Sequence, residues 1–138
     1  MTINVMLDEG AYMPTKAHEA DGGFDLRTPT KAYVGGLGSV VIDTGIHIAI
    51  PNGYVGFLKS KSGLNVKCDI VGEGVIDSGY TGSIVVKLYN NSSNSHTFEQ
   101  GDKIIQLVLL PIPNVELLQV DGLSDTERGD NGFGSSGR

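Results

Sequence analysis

The sequence predicts an all-β protein, and three observations carry that expectation. Thirteen valines and eleven isoleucines stand against five alanines, so residues that suit pleated sheets far outnumber the best helix former. Twenty glycines are spread along 138 residues, as in chains of many short strands joined by tight turns. Ile46, Ile48 and Ile50 alternate with His47 and Ala49, and Ile84, Val86 and Leu88 alternate again, the two-residue period of half-buried strands.

Taken in order, Asn4–Leu7 reads as an edge strand ahead of a loop at Pro14-Thr15. Ser39–Ile50 is the clearest strand region. Pro51-Asn52-Gly53 is a turn signal, and Tyr54–Lys59 is expected as the returning strand of a hairpin. Ser62–Lys67 is a short helical candidate that needs packing to survive. Gly74–Gly82 reads as a compact hairpin bent at Asp77, followed by a strand over Ser83–Tyr89. Asn90–Ser95 is wholly polar and reads as an exposed loop. Lys103–Leu110 is apolar on both faces, the mark of a central strand, and Pro111 and Pro113 stop it. Val115–Val120 is a candidate last strand. From Ser124 the chain holds four glycines in fifteen residues and Phe133 as its one large apolar side chain. The expected organisation is a core over 1–123 and a glycine-rich arm over 124–138 that is mobile when free.

Charge and length exclude several classes. A net charge of −6 without a basic block argues against nucleic acid as a partner. The longest apolar run is far below membrane-span length, and Thr2–Leu7 is too short and mixed for a signal peptide. One cysteine, Cys68, cannot form an internal disulfide, which points to a reducing, cytoplasmic setting. His18, His47 and His96 show no metal-ligand spacing with Cys68, and His47 reads as a structural residue on a strand face.

Four clusters have residues suited to chemistry. Lys59-Ser60-Lys61-Ser62-Gly63-Leu64 puts cations, hydroxyls and a glycine at a helix start, where N–H groups attract anions; taken alone, it reads first as a solvated turn between strand and helix. Gly74–Gly82 offers Asp77 as a base for water and Tyr80 as a flat surface for a sugar, although Asp-Ser-Gly is also ordinary turn chemistry. In Asp21-Gly22-Gly23-Phe24-Asp25-Leu26, Asp25 suits the water shell of Mg2+, or simple solvation. In the tail, Arg128 suits phosphate, Phe133 a base, and Gly134-Ser135-Ser136-Gly137 polyphosphate oxygens; the alternative is a low-complexity end.

Jointly and in order, these clusters resemble the five motifs of the trimeric deoxyuridine triphosphatases (dUTPases). Pro14-Thr15 with Gly23-Phe24-Asp25-Leu26 is similar to the first and Lys61-Ser62-Gly63-Leu64 to the second. Gly74–Gly82 is similar to the third, Gly101-Asp102-Lys103-Ile104-Ile105-Gln106-Leu107 to the fourth, and Arg128-Gly129 with Gly132–Gly137 to the fifth. The resemblance implies a jelly-roll or distorted β-barrel subunit in a homotrimer with shared active sites. It implies hydrolysis of dUTP to dUMP and pyrophosphate with Mg2+ on the triphosphate, lowering dUTP and supplying dUMP for thymidylate synthesis. Asp77 would deprotonate the attacking water, and Tyr80 would pack under the deoxyribose. The backbone near Gly74 and Ile76 would read uracil. Lys61, Ser62, Gly63 and Gln106 would bind phosphates, and Asp25 would touch magnesium through water. The arm of another subunit would bring Arg128, Phe133, Gly134, Ser135 and Ser136 over the nucleotide.

Four positions depart from the family pattern. Lys61 and Lys103 stand where arginine is usual, keeping a cation without the bidentate fork. Ser60 replaces a proline, which predicts a less rigid loop. Gly79 replaces an aspartate before the tyrosine. A dCTP deaminase shares the resemblance in part but lacks the Phe-Gly-Ser-Ser-Gly arm; a catalytically retired binding module is the rival from another class.

Overall fold

The computed structural model describes residues 1–137. Short strands and turns follow the alternation of the chain: β1 (Val5–Leu7), β2 (Phe24–Arg27), β3 (Ala32–Val34), β4 (Ser39–Asp43), β5 (Ile46–Ile48) and β6 (Tyr54–Lys59) precede a single helix, α1 (Ser62–Cys68). After it come β7 (Ile70–Val71), β8 (Glu73–Ile76), β9 (Val85–Asn90), β10 (His96–Phe98) and β11 (Lys103–Pro111). The strand pairings among them are antiparallel, in a four-stranded sheet β2-β11-β6-β8, a three-stranded sheet β4-β9-β7, and the pairs β1-β5 and β3-β10. This is a jelly-roll architecture. Leu26, Leu58, Ile105 and Leu107 from the larger sheet share one core with Ile42, Ile70, Val86 and Leu88 from the smaller, joined by Ile46 and Phe98. Each such side chain is stabilised by roughly 1.5–3 kcal/mol on leaving water.

β9 shows why the alternation was informative: Val86, Leu88 and Asn90 are buried while Val85, Lys87 and Tyr89 are exposed. β11 is central as expected, lying between β2 and β6. The helix is one residue longer than predicted. It buries no residue fully but rests Leu64 and Cys68 against the core. No helix among the described residues is long and apolar enough to cross a membrane.

Four expectations are corrected. Tyr54–Lys59 does not return on Ile46–Ile50. β5 pairs with β1, whereas β6 runs in register with β11 from Lys59↔Gln106 to Pro111↔Tyr54. Turn residues at Pro51–Gly53 mark a change of direction but not the partner, and β6 lies between β11 and β8 in the larger sheet. Gly74–Gly82 is likewise not a paired hairpin. β8 binds the edge of β6, β9 binds β4, and the connection passes from one sheet to the other. Asn90 is buried rather than in an exposed loop. Its amide donates to the carbonyls of Gly35 and Asn94, and its Oδ1 accepts from the Ser92 N–H and hydroxyl, so the polar group is satisfied inside. Finally, Val115–Val120 forms no strand. Residues 112–137 carry neither helix nor strand, and Val115, Leu117, Leu118 and Val120 are exposed.

Candidate active site

One row of polar residues crosses the four-stranded sheet. Asp25 on β2 faces Gln106 on β11, Gln106 faces Lys59 on β6, and Lys59 faces Glu73 on β8. Alternation sends Leu26, Ile105 and Leu58 to the other side, into the core. Lys59 Nζ donates to Glu73 Oε1 at 2.6 Å.

Asp25 is the buried end of this row, 8% exposed. Its backbone is tied to Thr15, with the Asp25 N–H donating to the Thr15 carbonyl at 2.6 Å. Its two carboxylate oxygens are divided between two cations: Lys61 Nζ donates to Oδ1, and Lys103 Nζ to Oδ2 at 2.7 Å. Burial pushes the Asp25 carboxyl up, but the hydrogen bonds and charges of Lys103 and Lys61 outweigh it and hold the pKa below the ordinary value. Lys103 was not among the site residues expected from sequence. It arrives by a β-bulge: Ile105 opposes Leu26 but Lys103 opposes Arg27, leaving Ile104 as the extra residue. The shift brings Lys103 onto the Asp25 face and lets Ile104 and Ile105 both be buried.

Lys61 caps the helix N-terminus with extended backbone, φ −75° and ψ 130°, and the first helical bond runs from the Asn65 N–H to the Lys61 carbonyl. Ser62 and Gly63 lie in the exposed first turn, and nothing in the chain lies within 4 Å of where a Gly63 Cβ would be. The loop before them is braced. Ser60 Oγ donates to the Gly72 carbonyl at 3.1 Å and accepts the Gly72 N–H at 3.0 Å, and Gln106 Nε2 donates to the Ser60 carbonyl at 3.1 Å. Ser60 and Gln106 thus tie this loop to the backbone of Gly72 and to β11.

Asp77 and Tyr80 sit apart from this cluster. The Tyr80 N–H donates to the Asp77 carbonyl at 3.2 Å, closing a turn with Gly79 at φ 82°, a conformation glycine adopts freely. Asp77 is exposed. Tyr80 is half-exposed; its hydroxyl donates to the Ser83 carbonyl at 2.9 Å, and its ring lies where any Cβ on Gly82 would collide with it. Ile76, Asp77, Tyr80 and Ser83 help line an open cavity of about 320 Å³. Gly74 lies opposite Leu58, and an added Cβ would meet Leu58 Cδ1 at 3.0 Å.

The arm is separate again. Arg128 Nε donates to the Asn131 carbonyl at 2.9 Å, the Ser135 N–H to Gly132 and the Gly137 N–H to Gly134, all local. Phe133 is fully exposed, and Ser136 lies in the same exposed run. The chain therefore brings Asp25, Lys61 and Gln106 together with Lys103. It does not bring Asp77 and Tyr80, or Arg128, Phe133, Gly134, Ser135 and Ser136, into contact with them.

No group of three or more His, Cys, Asp or Glu side chains among the described residues is placed to hold a metal ion directly. Both Asp25 oxygens already accept from lysine, and each keeps acceptor capacity for a water. This donor set fits Mg2+ that arrives on phosphate and keeps its own waters.

The dUTPase family model matches residues 9–137. The chain is 41% identical to the deoxyuridine 5'-triphosphate nucleotidohydrolase of Tropheryma whipplei, covering all of this chain and 97% of that one. It is 41% identical to a probable enzyme of the same name from Schizosaccharomyces pombe, covering 95% and 94%. Among solved structures, the dUTPase of Staphylococcus bacteriophage 80alpha with dUPNHPP superposes with a TM-score of 0.93 at 33% identity over 99% of both chains. A mutant dUTPase from S. aureus phage phi11, described with a coordinated structural Mg(II) ion, matches at 0.83 and 31% identity, covering 88% of this chain and 98% of that one. Sequence motifs, jelly roll and relatives over the full length agree: the chain belongs to the dUTPase family, enzymes that hydrolyse dUTP.

Proposed function

We propose that the chain converts dUTP and water to dUMP and pyrophosphate by in-line attack on the α-phosphorus, at active sites shared within a cytoplasmic homotrimer. The observation that carries this reading is the Asp25 clasp. Lys103 on β11 and Lys61 at the start of α1 are held together on Asp25, which suits a polyanion whose charge must be neutralised. On meeting triphosphate, the two ammonium groups turn to its oxygens, aided by Ser62, Gly63 and Gln106. Asp25, freed of the lysines, would hold a Mg2+ ion on the triphosphate through that ion's waters. Mg2+ on the triphosphate would neutralise charge as the pyrophosphate leaves. Asp77 takes the proton of the attacking water, and the α–β bridging P–O bond breaks as the new P–O bond forms.

Recognition of the base fits the sheet. β8 is an edge strand, so backbone groups around Gly74 and Ile76 on its outer side are available to uracil. Tyr80, fixed by Ser83 and Gly82, supports the sugar and excludes a 2′-hydroxyl. The separation of the three clusters within one subunit, together with the exposed Ile112, Val115, Leu117, Leu118, Val120 and Leu123, supports assembly in which a neighbour buries this segment and lends its arm. The resulting dUMP is available for thymidylate synthesis, and dUTP is kept low.

The test is pyrophosphate release from dUTP, dCTP, dTTP and UTP, with and without Mg2+, beside the mass of the assembly in solution. Strong preference for dUTP, dependence on Mg2+ and a three-subunit mass are expected. Equal turnover of UTP or dTTP would remove the steric model of the pocket, and ammonia release from dCTP would indicate a deaminase.

A further inference from the structure

The turn bearing Asp77 and Tyr80 is fastened to the barrel by side chains that the reaction does not use. Downstream, the Ser83 hydroxyl donates to Asp43 on β4, which also accepts the Gly45 N–H at 3.0 Å, and the Ile84 N–H donates to the Ile46 carbonyl at 2.8 Å. Ahead of these tethers, directly after Tyr80, the Thr81 carbonyl lies 2.7 Å from Nδ1 of His47 on β5. The other ring nitrogen, Nε2, lies 3.0 Å from Oδ1 of Asp8, in the loop after β1. A carbonyl and a carboxylate can only accept. Both contacts are hydrogen bonds only when both ring nitrogens carry hydrogen; a neutral ring turns one lone pair onto an acceptor.

The charged groups acting on the ring are Asp8 and, from β4, Asp43, both anions; its cross-strand neighbour Met6 is uncharged. The Thr81 hydrogen bond foremost, then Asp8, raises the His47 pKa above its ordinary value of 6.5, against a smaller opposing effect of burial. No hydrogen bond links His47 to Lys61, Lys103 or Asp25.

We propose that His47, in its doubly protonated form, is a positioning residue that holds the Asp77–Tyr80 turn, so that the nucleoside half of the site is assembled while His47 is charged and loosens when it releases a proton. This rests on reading Asp77 and Tyr80 as site residues. The sign follows from a raised pKa: the tether is complete below the ordinary histidine value and is lost as pH rises through the raised one.

The experiment measures kcat and KM for dUTP at saturating Mg2+, and inhibition by deoxyuridine, whose uracil N3 keeps its proton over this range, from about pH 6 to about pH 8. It compares wild type, His47→Gln and Asp8→Asn, with the His47 ring followed by NMR. Deoxyuridine inhibition of the wild type should weaken about three- to tenfold on the alkaline side, in step with the His47 titration. His47→Gln should stay at the weakened level throughout. Asp8→Asn, a change at an exposed side chain, should move the step to lower pH. A wild-type pH dependence in His47→Gln, a His47 pKa at or below the ordinary value, or an unmoved step in Asp8→Asn would each overturn the proposal. Failure of the underlying reading looks different: Asp77→Asn would then turn over dUTP at the wild-type rate.

Discussion

Asp25 and Phe133 are drawn to the same site by the motifs, yet they stand at opposite extremes of order. Asp25 is buried on a strand between β11 and the Thr15 segment, with a lysine on each oxygen. Phe133 is wholly exposed, at φ 50° in a run whose hydrogen bonds are all to near neighbours. The two use different physics. A clasp built into a sheet has its geometry before substrate arrives, so little reorganisation is needed when charge develops. An arm costs ordering entropy each time it closes, and in return it excludes water and releases product when it opens. The comparison predicts that changes in the sheet register in both stability and activity, whereas changes in the arm register in activity alone.

The largest effect is expected at Asp77, in the exposed turn after β8, where a change registers in activity without loosening the sheet. Asp77→Asn keeps size but cannot take a proton from water, so kcat should fall about 10²–10⁴-fold with folding and dUTP binding largely kept. Steady-state rates beside nucleotide affinity decide this, and near-normal turnover would remove Asp77 from the mechanism. Next comes the arm. Deleting the chain from Gly129 onward should leave melting temperature and oligomer size unchanged, because its described residues, 129–137, contribute nothing to the core, while most activity is lost. Phe133→Ala should cost less, about five- to 150-fold in kcat/KM, as stacking is worth roughly 1–3 kcal/mol per base. A truncated protein that fails to fold would make the arm a structural element; one with full activity would make it an idle end.

Much of this division was legible in the sequence, for reasons visible in particular residues. Ile46–Ile50 and Ile84–Leu88 announce strands because one face of each is buried, and the two-residue period survives any change of partner. Partners are another matter. Nothing in Tyr54–Lys59 says that β11 rather than β5 lies alongside, since pairing is decided by what the whole sheet buries. Lys103 shows the same limit at the site. Strict alternation puts a residue three before Gln106 on the opposite face, and the bulge at Ile104 reverses that; no local composition marks it. The cation at this place in the fourth motif was the available signal. The burial of Asn90 leaves no trace in the sequence, because a polar residue carries no sign of its hydrogen-bond partners, here Gly35 and Ser92. Val115–Val120 has a strand's composition without a strand's neighbour in the same subunit. His47 was rightly put on a strand face, but its approach to Thr81, thirty-four positions away, depends on the tertiary fold.

The smallest effect sharpens the comparison most. Lys103→Gln shortens the side chain by one atom and removes one of the two cations held against Asp25. Lys103 is partly solvated and therefore partly screened, so the loss should be about 0.5–2 kcal/mol, a few degrees in melting temperature. Its pH dependence identifies the cause. The Asp25 pKa lies below its ordinary value of 3.8, so the clasp contributes fully above that value and is lost as pH falls through the lowered one. Wild type and Lys103→Gln should therefore melt with a constant gap from about pH 8 down to about pH 5, and the gap should close in more acid solution as Asp25 takes up a proton. Phe133→Ala, measured in parallel, should match wild type at every pH. A gap that persists when Asp25 is protonated would mean that Lys103 stabilises by packing its stem rather than through charge, and the clasp would then hold the site in place without preparing it electrostatically.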